Sequence, residues 1–147
     1  MTEEEFVGWR ADAVRGYAAG IADSGMLPGA QAAQSAAGAQ FDQLLPDGLD
    51  TADHSFLCLC AGGEVVATNW IGHHHGPGVS WVYGVEVAEQ YRGKGYGRAA
   101  MIIGEQATVG AGDSHLALNV FGHNSVAISM YEGMGYQAYD HGRSIDL

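Results

Sequence analysis

The stretch VEVAEQYRGKGYGRAAMIIGEQ, residues 85–106, decides the fold. It opens with the alternation of a strand, and from Tyr96 onward Ala99, Ile102, Ile103 and Ala107 recur on one helical face. Between the two lies Arg92-Gly93-Lys94-Gly95-Tyr96-Gly97-Arg98. The chain has 6 Lys and Arg against 17 Asp and Glu, and Arg92, Lys94 and Arg98 all fall in this one turn. A helix start exposes unpaired N–H groups and the positive end of the dipole, and glycines remove the Cβ atoms that would hold an anion off. The turn therefore predicts a pyrophosphate lying across residues 93–98. The plainer alternative is a tight strand-to-helix turn with basic residues on its surface. Two familiar phosphate loops fail on spacing. A dinucleotide G-x-G-x-x-G from Gly93 needs glycine where Arg98 stands, and a Walker loop ending at Gly93-Lys94 needs glycine at Ala88 and Ser or Thr at Gly95.

Working outward, residues 3–23 and 29–45 read as helices, the second rich in Ala and Gln, good helix formers. LPDGLDTADH, residues 45–54, has turn chemistry. SFLCLCA and EVVATNWIG, joined by Gly62-Gly63, read as a β-hairpin, and VSWVYGVEVA as a third strand. SHLALNVF is a further strand, NSVAISMYEGMG a short helix stopped by Gly135, and YQAYDHGRSIDL two short strands around Gly142. His73-His74-His75 falls in the connector HHHGPG and reads as a solvated hairpin tip. Alternating directions along a strand, and no carboxylate or Cys close by, argue against a metal site. Cys58 and Cys60 read as buried thiols, too poorly placed to bridge one another.

A chain of 147 residues is expected to form one domain, 1–147. No apolar run approaches the roughly 20 residues that span a bilayer, and the acidic start Met1-Thr2-Glu3-Glu4-Glu5 is unlike a leader, so a cytoplasmic location is expected. A net charge of −11 disfavours nucleic acid and anionic membranes as partners and favours cationic ones.

VEVAEQYRGKGYGRAAM resembles motif A of the GNAT superfamily of acetyl-CoA-dependent N-acetyltransferases, Arg/Gln-x-x-Gly-x-Gly/Ala, through Arg92, Gly95 and Gly97. LALNVFGHNSVAISMYEGMGY resembles motif B of the same family, and together the two cover roughly residues 81–137. The resemblance implies an α/β (α+β) fold with a mixed, mostly antiparallel central sheet flanked by helices. The family's first strand has no counterpart ahead of Phe6. Either the strand is absent, which leaves a shortened sheet whose edge is covered by a loop or by the second subunit of a homodimer, or the true start lies upstream.

The resemblance also implies roles. Backbone groups of Val85 and Val87 would hold the pantetheine arm of acetyl-CoA, and residues Arg92, Gly93, Lys94, Gly95, Tyr96, Gly97 and Arg98 its pyrophosphate. Tyr131, otherwise a core aromatic, stands where the family has a general acid for the leaving thiolate. Asn124, otherwise an N-cap, gains a polar contact to pantetheine. Glu86 points away from Val85 and Val87 and is either solvated or a general base working through water. The expected activity is acetyl transfer to a primary amine, of a small molecule or a basic peptide, by direct attack in a ternary complex. The alternative is a non-catalytic acyl-CoA-binding or sensor module.

Overall fold

The computed structural model describes residues 1–25 and 29–139. Helix α1 spans Glu3–Asp23, and its start is fixed by a capping box: Glu5 N–H donates to Thr2 Oγ1 at 3.3 Å, and Thr2 N–H donates to Glu5 Oε2 at 2.6 Å. Helix α2 spans Ala30–Leu44. Strands β1 (His54–Ala61), β2 (Glu64–Gly76) and β3 (Val79–Val87) follow, then helix α3 (Tyr96–Gly110), strand β4 (His115–Leu118) and helix α4 (Ser125–Gly133). The 4 strands form one sheet in the order β1-β2-β3-β4, antiparallel at the first two junctions and parallel at the third.

Neighbouring residues of β2 point to opposite faces, and each face has its own helices. Trp70 packs with Phe6, Phe41 and Phe56 under α1 and α2, where a cluster of aromatic rings forms the larger core. Ile71 faces α3, which lies so close that a Cβ on Gly104 would stand 2.9 Å from Ile71 Cδ1 and 2.6 Å from Asn69 Nδ2. Val82, Met101 and Tyr131 fill the core on that side.

Among the described residues α1 is the first element and β1 is an edge strand. No helix of the described residues is long and apolar enough to cross a membrane. Four expectations change. The three histidines are part of β2, which runs on to Gly76, and the turn narrows to Pro77-Gly78. Their side chains find partners from three other segments: His73 contacts Ser55 and Ser80, and His74 contacts Asp113. Cys60 is exposed and Cys58 half-buried, because the β1–β2 register slips at Leu59/Cys60 beside the hairpin. The fourth strand is 4 residues long instead of the eight of SHLALNVF, with consequences set out below. Residues 136–139 of the expected C-terminal strand pair are irregular, and the rest of it lies outside the described residues.

Candidate active site

Strand β3 outruns its neighbour. The ladder to β4 runs from Val79↔His115 to Val82↔Leu118 and stops, while β3 continues to Val87. The direction of the remaining backbone groups follows from one bond. Ala88 N–H donates to Val66 O at 3.1 Å, so Ala88 and Glu86 aim their backbone at β2. Backbone groups alternate along a strand, so Val85 and Val87 aim theirs the other way, into the gap that β4 leaves. Such an edge is a template for an extended, amide-bearing ligand.

At the end of this edge the chain turns into α3. Gly93 and Gly95 have φ of +72° and +85°, the left-handed region that glycine adopts at no steric cost, and Gly95 is the N-cap. A Cβ built at either would meet nothing within 4 Å. The first bond of the helix is Ala99 N–H to Gly95 O at 3.1 Å, so the amides of residues 96–98, at the head of the helix, have no intrahelical acceptor. These amides and the dipole of a 15-residue helix make an anion cradle.

The cations of the turn are engaged with their own chain. Arg92 Nε donates to Val87 O at 3.1 Å, Lys94 Nζ donates to Gln90 O at 3.1 Å and stands over the Tyr91 ring, and Arg98 Nη1 reaches Gly133 O at 3.4 Å. Their charge is thus held beside the cradle, and Arg92 caps a carbonyl of the open edge. Tyr96 packs its ring edge-on against Tyr91. Gly97 lets α3 approach α4, since a Cβ there would lie 3.1 Å from Met130 Sδ.

Across the gap stands α4. Asn124 is its N-cap, accepting from Ala127 N–H at 3.2 Å. Tyr131 is buried among Val82 and Met101, with Val85 packed against the same cluster, and burial pushes its phenol above the ordinary value. The phenol is therefore protonated at neutral pH and available as a donor. Its neighbour Tyr136 donates to Glu105 Oε1 at 3.0 Å and is pushed up further, first by burial and then by the Glu105 carboxylate.

Glu86 faces the other way, toward α1, and lines two adjoining hollows of about 340 and 220 Å³. In the larger it meets Trp9, Cys58 and Thr68, with Glu5 and Asp12 from α1 at the rim. In the smaller it meets Trp9, Tyr17, Phe41, Trp70 and Tyr83. Burial pushes the Cys58 thiol up, which keeps it in the un-ionised, weakly nucleophilic form. The residues singled out from the sequence thus fall in different places. Val85, Val87 and residues 92–98 follow the open edge of β3 and Tyr131 packs beside it, Asn124 is the N-cap of α4, and Glu86 lies on the opposite face of the same strand. Sequence reasoning missed Trp9, Thr68 and Tyr83. The signal available was slight: an aromatic on the helical stripe, a polar residue inside a β2 apolar run, and an extra residue in β3 where the register skips Tyr83.

The model of the acetyltransferase (GNAT) family matches residues 28–136. The N-acetyltransferase YycN of Bacillus subtilis (strain 168) is 33% identical over 144 residues, covering 95% of this chain and 91% of that protein. The N-acetyltransferase YdgE of the same organism is 30% identical over 139 residues, covering 92% and 88%. The crystal structure of YycN superposes with a TM-score of 0.93 at 32% identity, over 100% of this chain and 95% of that one. AAC(6')-Iy, solved in complex with a bisubstrate analogue built on CoA, shares the fold at 13% identity with a TM-score of 0.59, covering 77% and 79%.

Proposed function

The chain belongs to the GNAT family of acetyltransferases and is an N-acetyltransferase, and from that premise we propose that it binds acetyl-CoA in the gap between β3 and β4 and acetylates a primary amine by direct attack in a ternary complex. The observation that carries this reading is the parted edge running into a glycine-lined helix start. Two kinds of unpaired backbone group succeed one another along β3 and α3, and pantetheine followed by a pyrophosphate presents two complementary kinds of group in the same order. Arg92, Lys94 and Arg98 add positive potential beside residues 93–98.

The chemistry follows from the two faces of β3. The thioester carbonyl lies at the Val85–Val87 edge, where a backbone N–H polarises it. The amine approaches from the α1 face, and Glu86 takes a proton from the ammonium through water. The nitrogen attacks the carbonyl carbon, the C–S bond breaks, and the thiolate takes a proton from Tyr131, or from water when Tyr131 is replaced. The second proton that the nitrogen sheds in becoming an amide returns through water to the phenolate. A thiol pKa of about 8.5 makes that assistance helpful without making it obligatory. Direct attack is favoured over an acyl-enzyme because Cys58, the thiol on the amine side, is held un-ionised by burial.

Calorimetry with acetyl-CoA, followed by thiol release over a panel of amines, tests the reading. The expected result is saturable binding at one site and amine-dependent release. Failure to bind acetyl-CoA would remove the proposed site, and binding with no release on any amine would favour a sensor.

A further inference from the structure

The two hollows on the α1 face share Trp9, Thr68 and Glu86, so they are lobes of one groove with Glu86 at the joint. The smaller lobe is also lined by Gly84 and Val85, which brings it to the strand edge assigned to the thioester. We infer that the acceptor is a compact amine with a single positive charge and an apolar or one-ringed body, its nitrogen at Glu86 and its body in the groove under α1. The inference rests on the acetyltransferase reading above.

Charge sets the first limit. Three carboxylates line the larger lobe, Glu5, Asp12 and Glu86. Glu5 is engaged in the capping box with Thr2, and Asp12 is paired with Arg15. Glu86 is the one of the three with no hydrogen-bond or ion-pair partner among the described residues. A second ammonium would compete with Arg15 at Asp12 and with the Met1 ammonium at Glu5, so it gains less than one at Glu86.

The walls set the second. Trp9 and Ala13 of α1, Phe41 of α2 and Trp70 of β2 present carbon. The indole N–H of Trp70 is already spent on His54 Nδ1 at 2.8 Å. Thr68, Tyr17 and Tyr83 are the hydroxyl-bearing side chains of the smaller lobe. An acceptor carrying many hydroxyl or amino groups would give up its water bonds there and find few replacements. A hydrocarbon or aryl body gains by leaving water, and an ammonium beside Trp and Tyr rings gains further from the ring faces. The volumes, about 340 and 220 Å³, suit a compact ligand.

The test uses the groove's own tryptophans and needs no turnover. Titration of the full chain with 2-phenylethylamine is expected to change tryptophan emission, with an affinity at least about tenfold tighter than that of spermidine or an aminoglycoside. Acetyl release should rank the amines in the same order. Glu86→Gln should weaken 2-phenylethylamine by about tenfold, and Thr68→Phe, which fills the joint, should abolish its binding. Calorimetry with acetyl-CoA on each variant reports folding and separates the two claims. Equal or tighter binding of the polycations overturns the inference. So does acetyl-CoA binding with no response to any monoamine, and in that case the acetyl-CoA site stands. Loss of acetyl-CoA binding by the unaltered protein overturns the acetyltransferase reading itself.

Discussion

At the start of α3, the amides of residues 96–98 have no intrahelical acceptor, whereas just beyond its end the Asp113 carboxylate gathers donors from β2 and β3. Its carboxylate takes the His74 backbone N–H at 2.8 Å and the Ser80 hydroxyl at 2.7 Å, and the His74 ring stands 3.1 Å away. The chain continues through Ser80 Oγ to His73 Nδ1 at 2.9 Å, and from His73 Nε2 to Ser55 Oγ at 2.8 Å. Because Ser80 gives its proton to Asp113, it accepts from His73 Nδ1–H, which fixes the neutral tautomer and leaves Nε2 to accept from Ser55. Around Asp113 each polar side chain of the network has a partner, whereas the head of the helix is left open. Every helix start leaves amides without an intrahelical partner, and here glycines keep the space in front of them clear, which is why the pyrophosphate is proposed at this end.

Filling the open end should cost binding first and stability second. Gly95→Glu puts a like charge and a Cβ where the pyrophosphate is proposed, and acetyl-CoA affinity is expected to fall by about a hundredfold or more, about 2.7 kcal/mol. A non-glycine residue at φ +85° costs roughly 1–2 kcal/mol of stability as well, so urea unfolding should be measured beside calorimetry. Unchanged affinity would remove the pyrophosphate from this turn. Breaking the closed end should do the reverse. Ser80 is fully buried, and Ser80→Ala leaves both His73 Nδ1–H and Asp113 short of a partner. A loss of about 1–3 kcal/mol in unfolding free energy is expected, with acetyl-CoA affinity preserved. Tyr131→Phe tests the gap between the ends. It keeps the buried ring, so kcat should fall roughly tenfold or more while acetyl-CoA affinity holds. An equal loss in both would make the phenol a packing element.

The same contrast explains what the sequence made legible. The open end is spelled by neighbours: glycines, cations and the change of period lie within residues 85–106, and the bounds of α1 and α2 and the start of α3 come out within a residue of those read from periodicity. The closed end is assembled from β1, β2, β3 and the segment after α3, so His73 looked like an exposed turn residue and Asp113 drew no notice. The gap was hidden for a related reason. SHLALNVF alternates over eight residues, yet only His115–Leu118 pair with β3, and where two parallel strands part depends on helices packed on both faces. Glu86 was legible as facing away from Val85 and Val87. That a tryptophan from α1 would roof it was not, because Trp9 and Glu86 meet only in three dimensions.

The closed end also carries a pH dependence. Burial holds His73 below its ordinary value, against the pull of Asp113, and burial likewise lowers His54, whose Nδ1 accepts the Trp70 indole N–H. Both rings are therefore neutral in the fold at a pH where the unfolded chain, with histidine at about 6.5, begins to take up protons. In that window the unfolded state binds more protons, so stability rises with pH. The contribution is fully present above about pH 6.5 and is lost as pH falls through the lowered values. Asp113 is held down, first by the His74 backbone N–H and then by Ser80, and its own contribution fades only at more acidic pH, below the carboxylate range. Urea midpoints between pH 7.5 and 5.5 should thus decline in the unaltered protein and decline less steeply in the double variant His54→Gln/His73→Gln. An identical slope in the two proteins would move the proton uptake to other groups and leave the closed end without a titrating part.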